Sequence, residues 1–135
     1  MTVMSENNVP TTQPLAGRIR VHLQRIAVRG EPITYKALAE ALEVEPPNRI
    51  HQITEALEWL MREDAANEHP FIAALVISRA RDGLPATGFF DIAKELGRFD
   101  GDPSSLDATA SHGAMFAAAA AFWSVADLPG TENAA

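Results

Sequence analysis

The chain has 135 residues, 47% hydrophobic and 21% charged, and a formal net charge of -7 from 11 Lys+Arg against 18 Asp+Glu. This near-average composition excludes wholesale disorder, and the length favours one domain. The lack of Cys excludes a disulfide framework, thiolate zinc sites and a cysteine nucleophile, while the acidic balance excludes a uniformly basic nucleic-acid binder and leaves room for a local basic face.

Residues 1–14 are polar, carry two prolines and show no periodicity, so they are expected as a disordered tail without the apolar core of a secretory signal. Leu15, Ile19, Leu23 and Ile26 then recur at helical spacing and stop before Gly30, which predicts a first helix. Thr34 caps a short second helix, Tyr35 to Leu42, and Pro46-Pro47 forces an extended break. Asn48 is a good cap for a long third helix ending near Asn67, with Ile50, Ile53, Leu57, Leu60 and Met61 as its apolar stripe.

Phe71 to Ile77 is short, apolar and partly β-branched, which suits a buried strand. Asp82-Gly83 reads as a turn, and Gly83 to Gly88 as a loop. Phe89 to Leu96 reads as a short helix closed by Gly97, and Asp102-Pro103 as the start of a last, alanine-rich helix. That helix is expected to reach about Ala126, with a break at Ser111 to Gly113, and residues 128–135 are expected to fray. Its apolar run, Ala114 to Ala126, is shorter than the roughly 20 residues a bilayer needs, so no membrane span is expected and a cytoplasmic location is the default. The fold class expected is α+β and mainly helical: one winged helix-turn-helix-like domain over residues 15–127 with a C-terminal helical extension.

The segment Ile33-Thr34-Tyr35-Lys36-Ala37-Leu38-Ala39-Glu40-Ala41-Leu42 resembles the opening of the DNA-binding region of O6-alkylguanine-DNA alkyltransferases and of the alkyltransferase-like proteins. In that family an S/T-Y-x-x-L-A segment opens a winged helix-turn-helix, followed by a small-residue recognition helix, a P-C-H-R-V strand and a glycine-rich wing. The resemblance extends from Ile33 to Phe90, with only the first ten residues matching well. It implies that Tyr35 acts on the phosphate of a nucleotide to be flipped, and that a residue at the start of helix three enters the base stack. Ungapped counting puts Arg49 there, and matching the apolar phase puts His51 there, so both stand as alternatives. Thr54 and Glu55 occupy the sites of two small residues in the family. The P-C-H-R-V position reads Pro70-Phe71-Ile72-Ala73-Ala74, without the nucleophile or the His and Arg that follow it. Alkyl transfer needs a thiolate activated by a neighbouring base, so this chain cannot perform it. In the alkyltransferase-like proteins a tryptophan or alanine replaces the cysteine, so Phe71 is a further departure from the family.

The charge is unevenly spread. Residues 1–36 carry +3, residues 37–68 carry -6, residues 69–99 carry +1 and residues 100–135 carry -5. Arg18, His22, Arg25 and Arg29 form one stripe on helix one, suited to phosphates or to an acidic helix of this chain or a partner. Arg79 and Arg81 flank the expected wing turn. Helix three carries Glu55, Glu58, Glu63, Asp64 and Glu68, which repel a duplex, so only its first turn (Asn48, Arg49, His51, Gln52) is suited to a groove.

The DNA contacts expected are therefore Tyr35, Lys36, Asn48, Arg49, His51, Gln52, Arg79 and Arg81. Trp59, Trp123, Phe116 and Phe122 are expected to complete the core, with the alternative that they anchor an interface together with the acidic third helix and the alanine-rich last helix. His69 and His112 lack metal-ligand spacing, and no catalytic residue, metal or cofactor is expected. Neither a G-x-x-x-x-G-K-S/T loop nor a G-x-G-x-x-G loop is present, which disfavours a ribose-phosphate pyrophosphokinase-type enzyme. Two functions remain: a non-enzymatic module that binds duplex DNA, or a protein-interaction or homodimerisation module that has lost DNA binding.

Overall fold

The structure, a computed structural model, describes residues 3–81, 83–102 and 106–124. It is α+β and mainly helical. In chain order the elements are α1 (Val3–Arg29), β1 (Ile33–Thr34), α2 (Tyr35–Ala41), α3 (Arg49–Ala66), β2 (Val76–Ile77), α4 (Thr87–Glu95) and α5 (Leu106–Trp123). Short 3-10 turns cover Ile72–Leu75 and Arg79–Arg81. The two strands pair in parallel, Ile33 with Val76 and Thr34 with Ile77.

Helix α1 buries Leu15, Ile19, Leu23 and Ile26 and ends at Gly30, whose φ of +71° is one glycine adopts without a Cβ penalty. It packs chiefly against α3, and also against α5 and the Ile72–Leu75 turn. The helix begins at Val3, so residues 3–14 are helical where a tail was expected. Once a packed segment has met the cost of nucleation, each further turn adds hydrogen bonds cheaply. Helix α2 matches its expectation, with the Thr34 hydroxyl accepting from the Ala37 N–H at 3.0 Å.

Helix α3 turns Ile53, Leu57, Leu60 and Met61 inward, but Ile50 is 45% exposed and leaves the expected stripe. Asn48 precedes the helix with φ at +57° and makes no side-chain cap bond. Its carbonyl accepts from the Gln52 N–H at 2.9 Å.

The expected strand over Phe71–Ile77 is a correction. Ile72–Leu75 coils into a 3-10 turn and only Val76–Ile77 is extended. The Ile72 N–H donates to the Asp64 carboxylate at 3.0 Å, which draws the chain inward before it can pair with a neighbour. The segment is still core: Phe71 through Val76 are all buried. Burial of each such large side chain contributes about 1.5–3 kcal/mol.

The expected wing turn lies next to a second 3-10 turn. Arg79–Arg81 is a tight turn, and the strand before it pairs in parallel with β1. Asp82 of the expected Asp82-Gly83 turn lies outside the described residues; Gly83 has φ at +85°. Helix α4 closes on Gly97 as expected, with φ at +78°. Helix α5 is continuous through Ser111 to Gly113, where a break was expected. A single glycine costs only about 1 kcal/mol in a helix, and the buried His112 and Ala108 hold this stretch in place. Pro103, Ala126 and residues 128–135 lie outside the described residues. No described helix is long and apolar enough to cross a membrane.

Candidate functional site at Tyr35

Tyr35 is the first residue of α2, directly after the β1–β2 pair, so the strand register fixes its backbone. Its ring reaches the start of α4, where its hydroxyl accepts the Ala86 N–H at 3.0 Å. The hydroxyl keeps its own proton to donate. Burial pushes the phenol above its ordinary value, while the Ala86 N–H and the charge of Arg81 pull it back. The group is therefore neutral and proton-bearing at physiological pH.

Beside the ring lies a hollow of about 80 Å³, lined by Tyr35, Thr54, Leu57, Glu58, Met61, Ala73, Ala86, Gly88 and Phe89. Its walls are mostly apolar, with Tyr35, Thr54 and Glu58 as the polar exceptions. It shares Tyr35, Thr54 and Ala86 with a wider groove of about 350 Å³, which adds Thr34, Lys36, Ile50, Ser78, Arg79 and Ala80. Lys36 and Arg79 are exposed along this groove.

The residue of the Pro70–Ala74 segment that lines the Tyr35 hollow is Ala73. Phe71, read from the sequence as the counterpart of the family's cysteine, lines a separate hollow of about 330 Å³ with Pro70, Arg98, Ala114, Met115 and Ala118. The Arg98 guanidinium stacks on the Phe71 ring at 4.4 Å. The 3-10 turn explains the shift, because coiling turns the third residue after Pro70 towards α3 and α4.

The expected contacts at the start of α3 are committed elsewhere. Arg49 Nε donates to the Val44 carbonyl at 2.8 Å. Gln52 Nε2 donates to the Glu45 and Pro47 carbonyls at 2.8 and 2.9 Å. Together they brace the loop between α2 and α3. His51 Nε2 lies 3.2 Å from Glu55 on the exposed face, and Asn48 is exposed. Arg81 is half-buried, with its guanidinium 5.9 Å from the centre of the Phe90 ring.

The helix-one stripe splits. Arg18 donates to the Leu42 carbonyl, Arg25 and Arg29 are exposed, and His22 is half-buried. Burial and then the charges of Arg25 and Arg29 hold the His22 imidazole below its usual value. Arg18, His22 and Arg25 border a shallow groove of about 490 Å³ beside Leu42. The structure thus groups Tyr35, Lys36 and Arg79 on one groove, with Arg81 near the phenol. Arg49, Gln52 and Arg18 are drawn to the loop carbonyls at the other end of α2.

No protein-family model matches the chain, nor does any curated protein or solved structure.

A second polar cluster was missed by the sequence reading. Asp64 is 1% exposed, and its carboxylate accepts from the Ile72 N–H and meets Arg20 Nη2 at 2.9 Å. Burial pushes this carboxyl up, against the Ile72 N–H and Arg20. Arg20 also meets Glu63 at 2.9 Å and lies 4.8 Å from the centre of the Trp123 ring, whose Nε1 donates to the Pro70 carbonyl at 2.9 Å. His69 stacks on Phe122 and Trp123 at 4.8 and 5.5 Å. His112 is buried with Nε2 2.9 Å from the Ala74 carbonyl, so that nitrogen carries the proton. Trp123 completes the core and Phe116 and Phe122 pack against it, as expected, but Trp59 is 39% exposed. No group of three or more His, Cys, Asp or Glu side chains is placed to hold a metal ion among the described residues.

Proposed function

We propose that this chain is a non-enzymatic binding module with a winged-helix-like domain similar to that of the alkyltransferase-like proteins. It engages duplex DNA through the groove beside Tyr35. The observation that carries this reading is a phenol hydroxyl fixed at an apolar hollow lined by Ala73, in a groove bordered by Lys36 and Arg79. Ala73 stands two residues after Phe71, the sequence counterpart of the family's cysteine, and its small side chain leaves the hollow beside Tyr35 open. A chain without Cys has no thiolate to accept an alkyl group, so binding without transfer is the activity.

In this reading the Arg79–Arg81 turn stands where the family has its wing. Lys36, Arg79 and Arg81 neutralise backbone phosphates and Tyr35 donates to one of them. Arg49 and Gln52 act indirectly, by holding the loop that presents α3.

The test is a titration of labelled duplex DNA over a range of salt. Two or three neutralised phosphates give a slope of log K against log salt of about -2 to -3. Lys36→Ala and Arg79→Ala should each flatten that slope by about 1. No binding at tens of micromolar protein and low salt, or binding indifferent to salt, sinks the reading.

A further inference from the structure

Five large hydrophobic side chains are exposed among the described residues: Val21, Val28, Ile50, Trp59 and Leu106. Three of them, Val21, Val28 and Trp59, lie on the packed pair of α1 and α3, away from the Tyr35 groove. Val21 and Val28 are seven residues apart, hence on one face of α1, and Gly17 precedes them by one turn with open space in place of a side chain. Trp59 borders the seam between the helices, a hollow of about 180 Å³ shared with Gln13, Ala16, Gly17, Arg20, Leu60 and Glu63. Val21 borders the groove beside Leu42, and Gly17 is common to that groove and to the Trp59 hollow, so the exposed apolar side chains run across α1 towards α3. Such side chains mark an interaction surface more strongly when they are neighbours than when they are scattered.

The charge around this strip is divided. On the α1 side stand Arg25 and Arg29, both exposed, with Arg18 next to them held to the Leu42 carbonyl. On the α3 side stand Glu55, Glu63 and Glu68, also exposed. Glu63 is paired with Arg20 and Glu55 lies beside His51, the exposed Arg62 on this side is paired with Glu95, and Glu68 is the acid placed past the end of the helix. The helices run in the same direction where they meet: residues 13–17 border Trp59 and Leu60, and Arg20, further along, meets Glu63 and Asp64. A two-fold axis parallel to the helices therefore lays α1 of one copy on α3 of the other, and the reverse, at matching height. Arg25, beyond Arg20, then falls near the end of the opposing α3, where Glu68 and the negative end of the helix dipole favour a cation.

We propose that the outer face of α1 and α3 is a self-complementary interface between two copies of this chain. The occupant is a second copy because one face carries both halves of the match, an arrangement that a two-fold dimer closes without leaving an open end. Over the 18 residues of α3, two helices side by side offer about 500 Å² per copy, or about 1,000 Å² in all. That is the threshold for a specific interface, so the dimer is a weak one. This surface is independent of the Tyr35 groove.

The test is sedimentation of the full chain from low micromolar to submillimolar concentration. A reversible monomer–dimer equilibrium weakened by salt is expected. Trp59→Glu should weaken it at least about tenfold, with the helical circular dichroism unchanged. The decisive variants are Arg25→Glu and Glu68→Arg. Each alone sets like charges against each other and should weaken self-association, while an equimolar mixture should form a heterodimer with both contacts restored. A chain monomeric throughout overturns the inference. So does a dimer indifferent to Trp59→Glu, or one that mixing fails to rescue.

Discussion

The Tyr35 groove and the Asp64 cluster both bring polar groups to the same α3 helix, but they treat those groups differently. Around Asp64 most polar atoms meet partners inside the protein: Ile72 N–H, Arg20 Nη2, Glu63 and the Trp123–Pro70 bond. Among the described residues Arg20 Nη1 is the buried exception, without a hydrogen-bond acceptor while its guanidinium lies over the Trp123 ring. Around Tyr35 the hydroxyl is only half used, and Lys36 and Arg79 stand exposed along an open groove. Engaged groups join elements. They tie α1, α3, α5 and the 3-10 turn together, and so set where Ala73 sits. Groups with capacity to spare are the ones available to a ligand. Substitutions in the first region should cost stability, and those in the second should cost binding.

The largest expected effect is at Asp64. Asp64→Ala leaves the Ile72 N–H without an acceptor and Arg20 without its buried partner, so destabilisation of about 3–5 kcal/mol is expected in urea unfolding. Loss of under about 1 kcal/mol would show that the cluster does not hold the fold together. Trp123→Phe removes one buried donor and orphans the Pro70 carbonyl, for a smaller loss of about 1–3 kcal/mol, read as a lower thermal midpoint.

His112 adds a pH dependence. Burial holds its imidazole below the ordinary value of 6.5, partly opposed by the bond to Ala74. Between the lowered folded value and about 6.5 the unfolded chain binds more protons, so stability rises with pH through that window. It is fully present above about pH 6.5 and is lost as the pH falls below it. Urea midpoints at about pH 7.5 and 5.5 should differ less in His112→Gln than in the wild type, since the amide keeps a donor for Ala74 and cannot titrate. Equal differences in the two proteins would contradict this assignment.

Tyr35→Phe should cost the fold little, about 1–2 kcal/mol for one part-buried acceptor. It should still weaken DNA binding several-fold, with the salt slope unchanged because no charge is lost. A variant that loses stability like Asp64→Ala would erase the contrast between the two regions.

Much of this fold was legible in the sequence. Thr34 as a cap, Gly30 and Gly97 as stops and the apolar stripes of α1 and α3 each act within a few residues, so local pattern sufficed. The Asp64 cluster left a signal that charge alone obscured. Asp64 continues the series Ile53, Leu57, Leu60, and Arg20 continues Ala16, Leu23, Ala27, so both charges lie in apolar phase. The turn at Ile72–Leu75 left none, because a run apolar at every position has no phase to separate strand from coil. For that reason Ala73 could not be distinguished from Phe71 as the residue lining the Tyr35 hollow. Tyr35, Lys36 and Arg79 were singled out from the sequence. That Arg49 and Gln52 brace a loop depends on carbonyl positions that no spacing encodes.

The central claim, that the Tyr35 groove is the ligand-binding region, is tested most directly by following backbone amide resonances as duplex DNA is added at low salt. Ala86 is the sharpest reporter, since its N–H donates to the Tyr35 hydroxyl. The account predicts that the largest shifts gather at Thr34–Lys36, Ser78–Ala80 and Ala86–Phe89, and vanish as salt is raised. Shifts centred instead on the outer face of α1 and α3, or no shifts at all, would contradict it.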